Sequence, residues 1–179
     1  TQMRAVLTAL ETLPAHGRPQ VVGLAPTHRA VGEMGLCGIK AQTLASFLME
    51  TEREIQSGGA PDFRHTLFLM DECSMVGNRD FADCMQHIAN GGGRAVLCGD
   101  RDQLLSVAHG TPFTLLQERS PLDTAIMKDI IRQVPSLRPA IYALTNRCVP
   151  AALDIIRQQD PDTVPREPDQ WKPAGSVIA

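Results

Sequence analysis

Two adjacent carboxylates, Asp71 and Glu72, directly follow the uncharged and mostly apolar residues 66–70. Such a run predicts a strand buried on both faces of a parallel sheet, ending at the edge where open α/β sheets bind ligands. In a P-loop type of nucleotide site, the first acid holds Mg²⁺ through water. The second acid orients or deprotonates the water that attacks a γ-phosphate. Taken alone, the pair is equally compatible with a strand followed by an acidic turn.

A second buried strand is predicted at residues 94–98, after a helix from about 78 to 88 and a glycine-rich loop. Gln103 follows this strand closely. Because the carboxyl ends of parallel strands lie at one edge of a sheet, we expect Gln103 beside Asp71 and Glu72. Its amide is suited to touch both a γ-phosphate oxygen and the attacking water.

A third short apolar strand is predicted at residues 20–25. Pro26 ends it, and Thr27 is placed to cap the helix that follows, whose free N–H groups and dipole favour a phosphate. Arg29 adds a positive charge nearby. A capped helix with a solvated arginine explains this segment equally well.

Two further residues are weaker candidates for ligand contacts. Arg132 follows a predicted strand at residues 124–127 and is suited to neutralise phosphate charge, or simply to form a surface ion pair. His109 lies in a predicted loop at the ligand edge, where it would stack on a nucleic-acid base or remain exposed to solvent.

Composition limits the class of protein. The chain has 179 residues, 43% of them hydrophobic, and a formal net charge of −3, so contacts with nucleic acid must be local. Its five cysteines include no C-x-x-C pair, and neither they nor the histidines have zinc-ligand spacing. We find no leader segment and no apolar run long enough for a membrane span, and therefore expect a cytoplasmic protein without membrane contact.

The expected fold is α/β, with a mainly parallel sheet and helices on both faces. Strands are predicted near Val21, Leu67, Val96 and Ile126, whereas residues 36–42 are predicted to form a loop. We expect one domain over residues 1–159 and a proline-rich, loosely ordered tail over residues 160–179. The phosphate-loop motif G-x-x-x-x-G-K-[ST] does not occur in these 179 residues.

Five segments resemble, in order, helicase motifs Ia, Ib, II, III and IV of the RecD-like branch of superfamily 1 helicases. The amino-acid sequences of these segments most resemble those of the TraI-type conjugative relaxase-helicases. The matching segments are residues 21–31, 42–48, 71–76, 99–104 together with 110–113, and 131–133.

The resemblance implies the first RecA-like domain of a bacterial, cytoplasmic protein. Such a domain binds single-stranded DNA and works with other domains of the same polypeptide, a relaxase and a second RecA-like domain. ATP and Mg²⁺ are implied for the intact helicase, and no cofactor is expected for this chain alone. By resemblance, Asp71 is the magnesium ligand, Glu72 activates water, Gln103 senses the γ-phosphate and Arg132 contacts it. The segments matching DNA contacts contain Pro26, Thr27, His28, Arg29, Thr43, His109 and Gly110.

Three hypotheses remain open. The chain is a DNA-binding module that couples relaxase to helicase without ATP turnover by itself, or it is the truncated first half of an active 5′–3′ motor. Thr1 falls where the residue after a G-K-T would lie, which suits a piece of an active helicase and equally a piece of the duplicated, non-hydrolysing helicase-like region that the resemblance to TraI-type proteins implies. A purely structural scaffold between domains is the third, favoured by the acidic balance and the few aromatic residues.

Overall fold

The computed structural model describes residues 2–100, 109–127 and 135–159. The chain divides into two compact units, Thr1–Thr124 and Ala125–Ala179. The predicted tail over residues 160–179 lies outside the described residues, so the predicted domain limits stay predictions. Within the described ranges, no helix combines the length and the apolar character needed to cross a bilayer.

The first unit contains a four-stranded parallel sheet in the order β2-β1-β3-β4. Its strands are β1 (Gln20–Ala25), β2 (Lys40–Thr43), β3 (Thr66–Met70) and β4 (Arg94–Leu97). The strands expected near Val21, Leu67 and Val96 are thus confirmed, and so is the α/β class. β2 was missed, and the loop predicted at residues 36–42 is wrong for residues 40–42. This edge strand is only four residues long and mostly polar, so it lacks the apolar run that marks a buried strand.

Five helices accompany the sheet in the first unit: α1 (Gln2–Glu11), α2 (His28–Leu36), α3 (Leu44–Gln56), α4 (Asn78–Asn90) and α5 (Pro112–Arg119). Single 3₁₀ turns occur at Ala15–Gly17 and Cys73–Met75. The predicted helices on both faces are confirmed, because the buried residues form two separate clusters. One cluster joins the sheet to α3, α4 and α5, and the other joins it to α1 and α2.

Alternation along the strands assigns their side chains to these two clusters. Phe68 and Met70 of β3 belong to the cluster with α3 and α4, whereas Leu69, between them, belongs to the cluster with α2. The ring of Phe68 packs edge-on against Phe63, with centroids 5.1 Å apart, and against Phe47 at 5.3 Å. Phe47 and Phe68 are buried, and Phe63 is partly buried, so the three rings anchor the first face.

Helix α2 approaches β1 closely at Gly23. A Cβ atom at this position would lie 2.7 Å from the Cε of Met34 and 2.7 Å from the Cβ of Ala41. Glycine leaves room for both neighbours, so β1 packs closely against α2 and β2 at this position.

The second unit contains a 3₁₀ turn at Pro135–Leu137 and two helices that pack against each other, α6 (Arg138–Thr145) and α7 (Val149–Gln159). The strand predicted at residues 124–127 is wrong: these residues form no strand, and the side chains of Ile126 and Met127 are 72% and 63% exposed. The apolar run here is only three residues long. No described strand pairs with it, so its backbone has no ladder to join.

Candidate functional site

The ends of the four strands form one edge of the sheet. The register pairs Ala25 with Thr43, Leu24 with Met70, and Met70 with Leu97. The residues that follow β1, β2 and β3 therefore lie side by side at the carboxyl edge, as the sequence predicted for the acids. In spatial order this edge carries Thr43, then Pro26 and Thr27, then Asp71 and Glu72, then Gly99 and Asp100.

Backbone hydrogen bonds continue the sheet beyond the last residue of β3. The N–H of Asp71 donates to the carbonyl of Leu24 at 2.9 Å. On the other side, the N–H of Cys98 donates to Met70 at 2.7 Å, and the N–H of Cys73 donates back to Cys98 at 2.9 Å. The backbone of the acid pair is thus fixed between β1 and the end of β4.

The two acids are both half-buried and differ in how they are held. Oδ1 of Asp71 accepts a hydrogen bond from the N–H of Glu72 at 3.0 Å. Glu72 has φ 53° and ψ 37°, in the left-handed region that residues with a side chain rarely occupy. This conformation costs about 1–3 kcal/mol and persists only where neighbouring contacts impose it. It turns the chain sharply at the end of the strand.

Thr27 connects the first strand end to the second acid. Its Oγ1 accepts from the N–H of Ala30 at 3.2 Å, which confirms Thr27 as the N-cap of α2. The same hydroxyl lies 3.0 Å from Oε2 of Glu72 and donates to it. Sequence reasoning missed this contact because Thr27 and Glu72 are 45 residues apart and no local pattern links them.

The other residues predicted to touch DNA after β1 and β2 begin two helices. His28 and Arg29 are exposed in the first turn of α2, and the Arg29 side chain, 90% exposed, pairs with Glu33 at 3.3 Å. Thr43 is the N-cap of α3 and accepts from the N–H of Ser46 at 3.2 Å. Pro26 is half-buried and lies between Ala25, the last residue of β1, and the first turn of α2. Helices α2 and α3 therefore start next to each other at the same edge.

His109 and Gly110 lie beside the start of α4. The carbonyl of His109 accepts from the N–H of Asn78 at 3.0 Å. His109 is exposed and lines an open cavity of about 340 Å³ together with residues 77–80. Gly110 has φ 99°, and a Cβ atom there would run into the Asn78 amide.

Gln103 and Arg132, the predicted γ-phosphate contacts, lie outside the described residues. Their convergence with Asp71 and Glu72 stays a prediction. The described part of the site thus comprises the acid pair, Thr27, and the starts of α2, α3 and α4.

The carboxylate of Asp71 fits a magnesium nucleotide in its chemistry. Mg²⁺ prefers oxygen ligands and is bound in nucleotide sites by one or two carboxylates, phosphate oxygens and water. Among the described residues, no hydrogen-bond donor reaches Oδ2 of Asp71, and no cluster of three or more acidic, cysteine or histidine side chains forms a cage for a metal. The described residues would therefore hold the ion through the Asp71 carboxylate, with phosphate oxygens and water as the further ligands.

The cysteines near the acids are suited to packing and not to nucleophilic chemistry. Cys73 and Cys84 are fully buried, and burial raises the pKa of Cys84 to about 12 and that of Cys73 further. Burial and the nearby Asp71 also raise the pKa of Cys98. A thiol that stays protonated is a poor nucleophile, because the thiolate is the reactive species.

Comparison with known proteins finds relatives that are all named as conjugation or conjugal transfer proteins. The chain is 56% identical over 177 residues to the multifunctional conjugation protein TraI of Escherichia coli, which covers 99% of this chain and 10% of that protein. It is 31% identical over 159 residues to the conjugal transfer protein TraA of Rhizobium radiobacter, covering 88% of this chain and 14% of that protein. The chain thus spans about a tenth of the length of the TraI proteins.

These matches confirm the resemblance to the TraI-type proteins. The sequence profile of the AAA domain family matches residues 1–161, which include the whole parallel sheet and the acid pair at its carboxyl edge. The RecA-like α/β fold expected from the sequence is confirmed by this match together with the sheet. The chain therefore belongs to the AAA domain family.

Proposed function

We propose that this chain is a domain of a conjugative relaxase-helicase that binds single-stranded DNA along the carboxyl edge of its sheet and couples relaxase to helicase. The observation that carries the proposal is the adjacent start of α2 and α3 at Thr27 and Thr43, on the edge that also bears Asp71 and Glu72. Two neighbouring helix N-termini offer backbone N–H groups and positive dipole ends to successive phosphates of one strand.

Exposed side chains also favour the carboxyl edge of the sheet as the DNA-binding surface. His28 and Arg29 are exposed beside the N-terminus of α2, and His109 is exposed beside that of α4. Arginine suits phosphate, and a histidine ring suits stacking on a base. Because the chain has a net charge of −3, we expect weak binding that depends on these local groups.

ATP turnover is not part of the proposed function of the chain by itself. Asp71 and Glu72 supply a magnesium ligand and a group that orients water. The sequence contains no G-x-x-x-x-G-K-[ST], the loop whose backbone N–H groups and lysine cradle the phosphates. Bound ATP–Mg²⁺ would supply an electrophilic γ-phosphate, and hydrolysis depends on how accurately that group is positioned.

The DNA proposal is tested by fluorescence anisotropy with a labelled single-stranded oligonucleotide and the full 179-residue chain. Arg29→Ala should weaken binding about 3- to 10-fold and lower the salt dependence by roughly one phosphate contact. The matched control is Arg53→Ala, which removes an exposed arginine from the last turn of α3, far from the carboxyl edge. Equal effects of both substitutions would contradict the proposed site. Absence of binding even at low salt would favour a purely structural scaffold.

A second candidate function is the first half of an active motor. It is favoured by the acid pair, since Asp71 and Glu72 are both present and Glu72 is held in a costly left-handed conformation. Sequencing the gene upstream of Thr1 distinguishes the two candidates. An intact phosphate loop there would favour the motor, and a degraded loop would favour the binding module.

A further inference from the structure

A cleft of about 290 Å³ opens on the α3 face of the sheet, toward the amino ends of the strands. Two of its lining residues, Gln20 and Thr66, pair in register at the beginnings of β1 and β3. The others come from β1, β2, α3, β3 and the segment that precedes β3. Neither the acid pair nor the helix caps Thr27 and Thr43 line the cleft, so it is distinct from the proposed DNA-binding edge.

Thr51 brings a hydroxyl group without an internal partner to this cleft. The residue is only 4% exposed and lies on the core face of α3, where Leu44 and Phe47 are also buried. Its side chain makes no hydrogen bond to any residue that the structure describes. Its Oγ1 is not sealed from solvent, so the hydroxyl opens into the cleft that the residue lines. A buried hydroxyl with no partner is unfavourable, which indicates that a polar ligand enters here.

The charge of the cleft favours a cation. Of the described residues that line it, the charged ones are all acidic: Glu50, Glu54 and Asp62. Asp62 is already paired, because Nε and Nη2 of Arg64 donate to its two oxygens at 2.9 and 2.6 Å. Neither Glu50 nor Glu54 forms an ion pair within the described part of the chain. They are four residues apart on one face of α3, where like charges repel each other and a bound cation would relieve the repulsion.

The apolar part of the cleft is mainly aromatic. Phe47, Phe63 and Phe68 line it, and their ring centroids are 5.1 to 5.8 Å apart. A guanidinium group suits this mixture of carboxylates and aromatic carbon. Its flat faces are weakly hydrated and stack on aromatic rings, while its edge donates to carboxylates. An ammonium group is compact and strongly hydrated, and it fits such a lining less well.

We propose that this cleft binds the side chain of an arginine carried by a protein partner. The guanidinium group donates to Glu50 and Glu54, and Oγ1 of Thr51 accepts a further hydrogen bond from it. A small free cation would remain largely in water, because both glutamates are exposed at the rim. Ile55, 46% exposed, lies one turn beyond Thr51 and offers apolar surface to residues that flank the arginine.

An NMR titration of the 179-residue chain with a blocked Leu-Arg-Leu peptide tests the proposal. The signals of the Thr51 methyl group and the Gln42 side-chain amide, which both line the cleft, should shift on addition of the peptide. A peptide with citrulline in place of arginine has nearly the same shape and no charge, and it should bind at least about 10-fold more weakly. A lysine peptide should bind about 3-fold more weakly.

Substitutions in α3 separate a specific site from general attraction by charge. Glu50→Gln should weaken binding of the arginine peptide about 2- to 5-fold. Glu52→Gln is the matched control, because Glu52 is also an exposed glutamate of α3 and does not line the cleft. Thr51→Val should weaken binding about 2- to 10-fold, because it removes the acceptor and keeps the shape. Its melting temperature should be unchanged or higher, as expected for a hydroxyl that serves a ligand and not the fold.

Several outcomes would overturn the proposal. Equal binding of the arginine and citrulline peptides, or equal effects of the two glutamate substitutions, would show that no guanidinium site exists. Equal binding of the lysine peptide would overturn the preference for arginine. Ethylguanidinium that binds as tightly as the arginine peptide would identify a small free cation as the ligand and overturn the protein partner. Absence of any shift at Thr51 and Gln42, or unchanged binding with Thr51→Val, would contradict the site as described.

Discussion

The backbone N–H of Asn78 donates a hydrogen bond to the carbonyl of His109 at 3.0 Å. Asn78 is the first residue of α4, which follows the acid pair after one 3₁₀ turn, and His109 begins the segment that leads into α5. This bond holds His109, which the family resemblance places in a DNA-contacting loop, next to the start of the helix that follows Asp71 and Glu72. It also gives an otherwise unpaired N-terminal N–H group of α4 an acceptor.

Gly110→Ala should destabilise the first unit by about 1–3 kcal/mol in chemical denaturation. Gly110 has φ 99°, which an alanine adopts only with strain, and the added Cβ would clash with the Asn78 side chain. Gly32→Ala is the matched control. Nothing lies within 4 Å of a Cβ placed there, inside α2, so alanine should stabilise the unit by about 0.5–1 kcal/mol. Opposite signs are expected, and a loss at both positions would contradict the prediction.

Arg147→Gly should stabilise the second unit by about 0.5–1 kcal/mol. Arg147 has φ 60° and follows the C-cap of α6, where the N–H of Cys148 donates to Ala143 and the N–H of Arg147 to Leu144, both at 2.8 Å. This is a Schellman motif, and glycine adopts its left-handed residue without strain. The neighbouring Asn146→Gly should instead destabilise, since Asn146 has φ −83°. Thermal unfolding followed by circular dichroism compares the two variants.

The cysteines should differ sharply in reactivity. In the folded chain at about pH 8, iodoacetamide should modify the exposed Cys148 first and the half-buried Cys37 more slowly, because thiolate content and access set the rate. Cys73 and Cys84 should be modified only after unfolding. Mass spectrometry of digested samples at increasing times gives the order. Early modification of Cys84 would show that its helix does not pack as described.

The same buried thiols predict a loss of stability at alkaline pH. An unfolded thiol ionises at about pH 8.5, whereas burial raises the folded-state pKa of Cys84 to about 12. Between these values the unfolded state releases a proton that the folded state keeps, so the free energy of unfolding should decrease as pH rises. The decrease should be at most about 1.4 kcal/mol per pH unit for each such thiol. Denaturation curves should show a smaller decrease with Cys84→Ala and no change of slope with Cys148→Ser.

ATP hydrolysis by the chain alone should be undetectable, with or without an oligonucleotide. Without a phosphate cradle, the γ-phosphate is not positioned for attack by water. A phosphate-release assay with the 179-residue chain measures this, and Glu72→Gln is the control. Any release that is equal in both proteins comes from a contaminant. Turnover that Glu72→Gln abolishes would contradict the proposed function.

Local sequence predicted three of the four strands correctly. Residues 20–25, 66–70 and 95–97 are short uncharged and mostly apolar runs, and exposing such runs to water is unfavourable unless a sheet buries them. It also predicted the cap at Thr27, because capping involves only the next three residues. The mostly polar β2 and the exposed residues 126–127 were mispredicted, because edge pairing and burial depend on neighbours distant in the chain.

The sequence by itself therefore determined the class of fold, the acid pair at the end of β3, and the start of α2 beside it. Only the tertiary structure decided that Thr27 donates to Glu72, that Glu72 adopts a left-handed conformation, and that Asn78 binds His109. The physical reason is range. Hydrophobic pattern and capping act over a few residues, whereas the two contacts join residues at least 31 positions apart. The left-handed conformation of Glu72 depends on a backbone held between two neighbouring strands. All three features arise only once the register of the sheet is set.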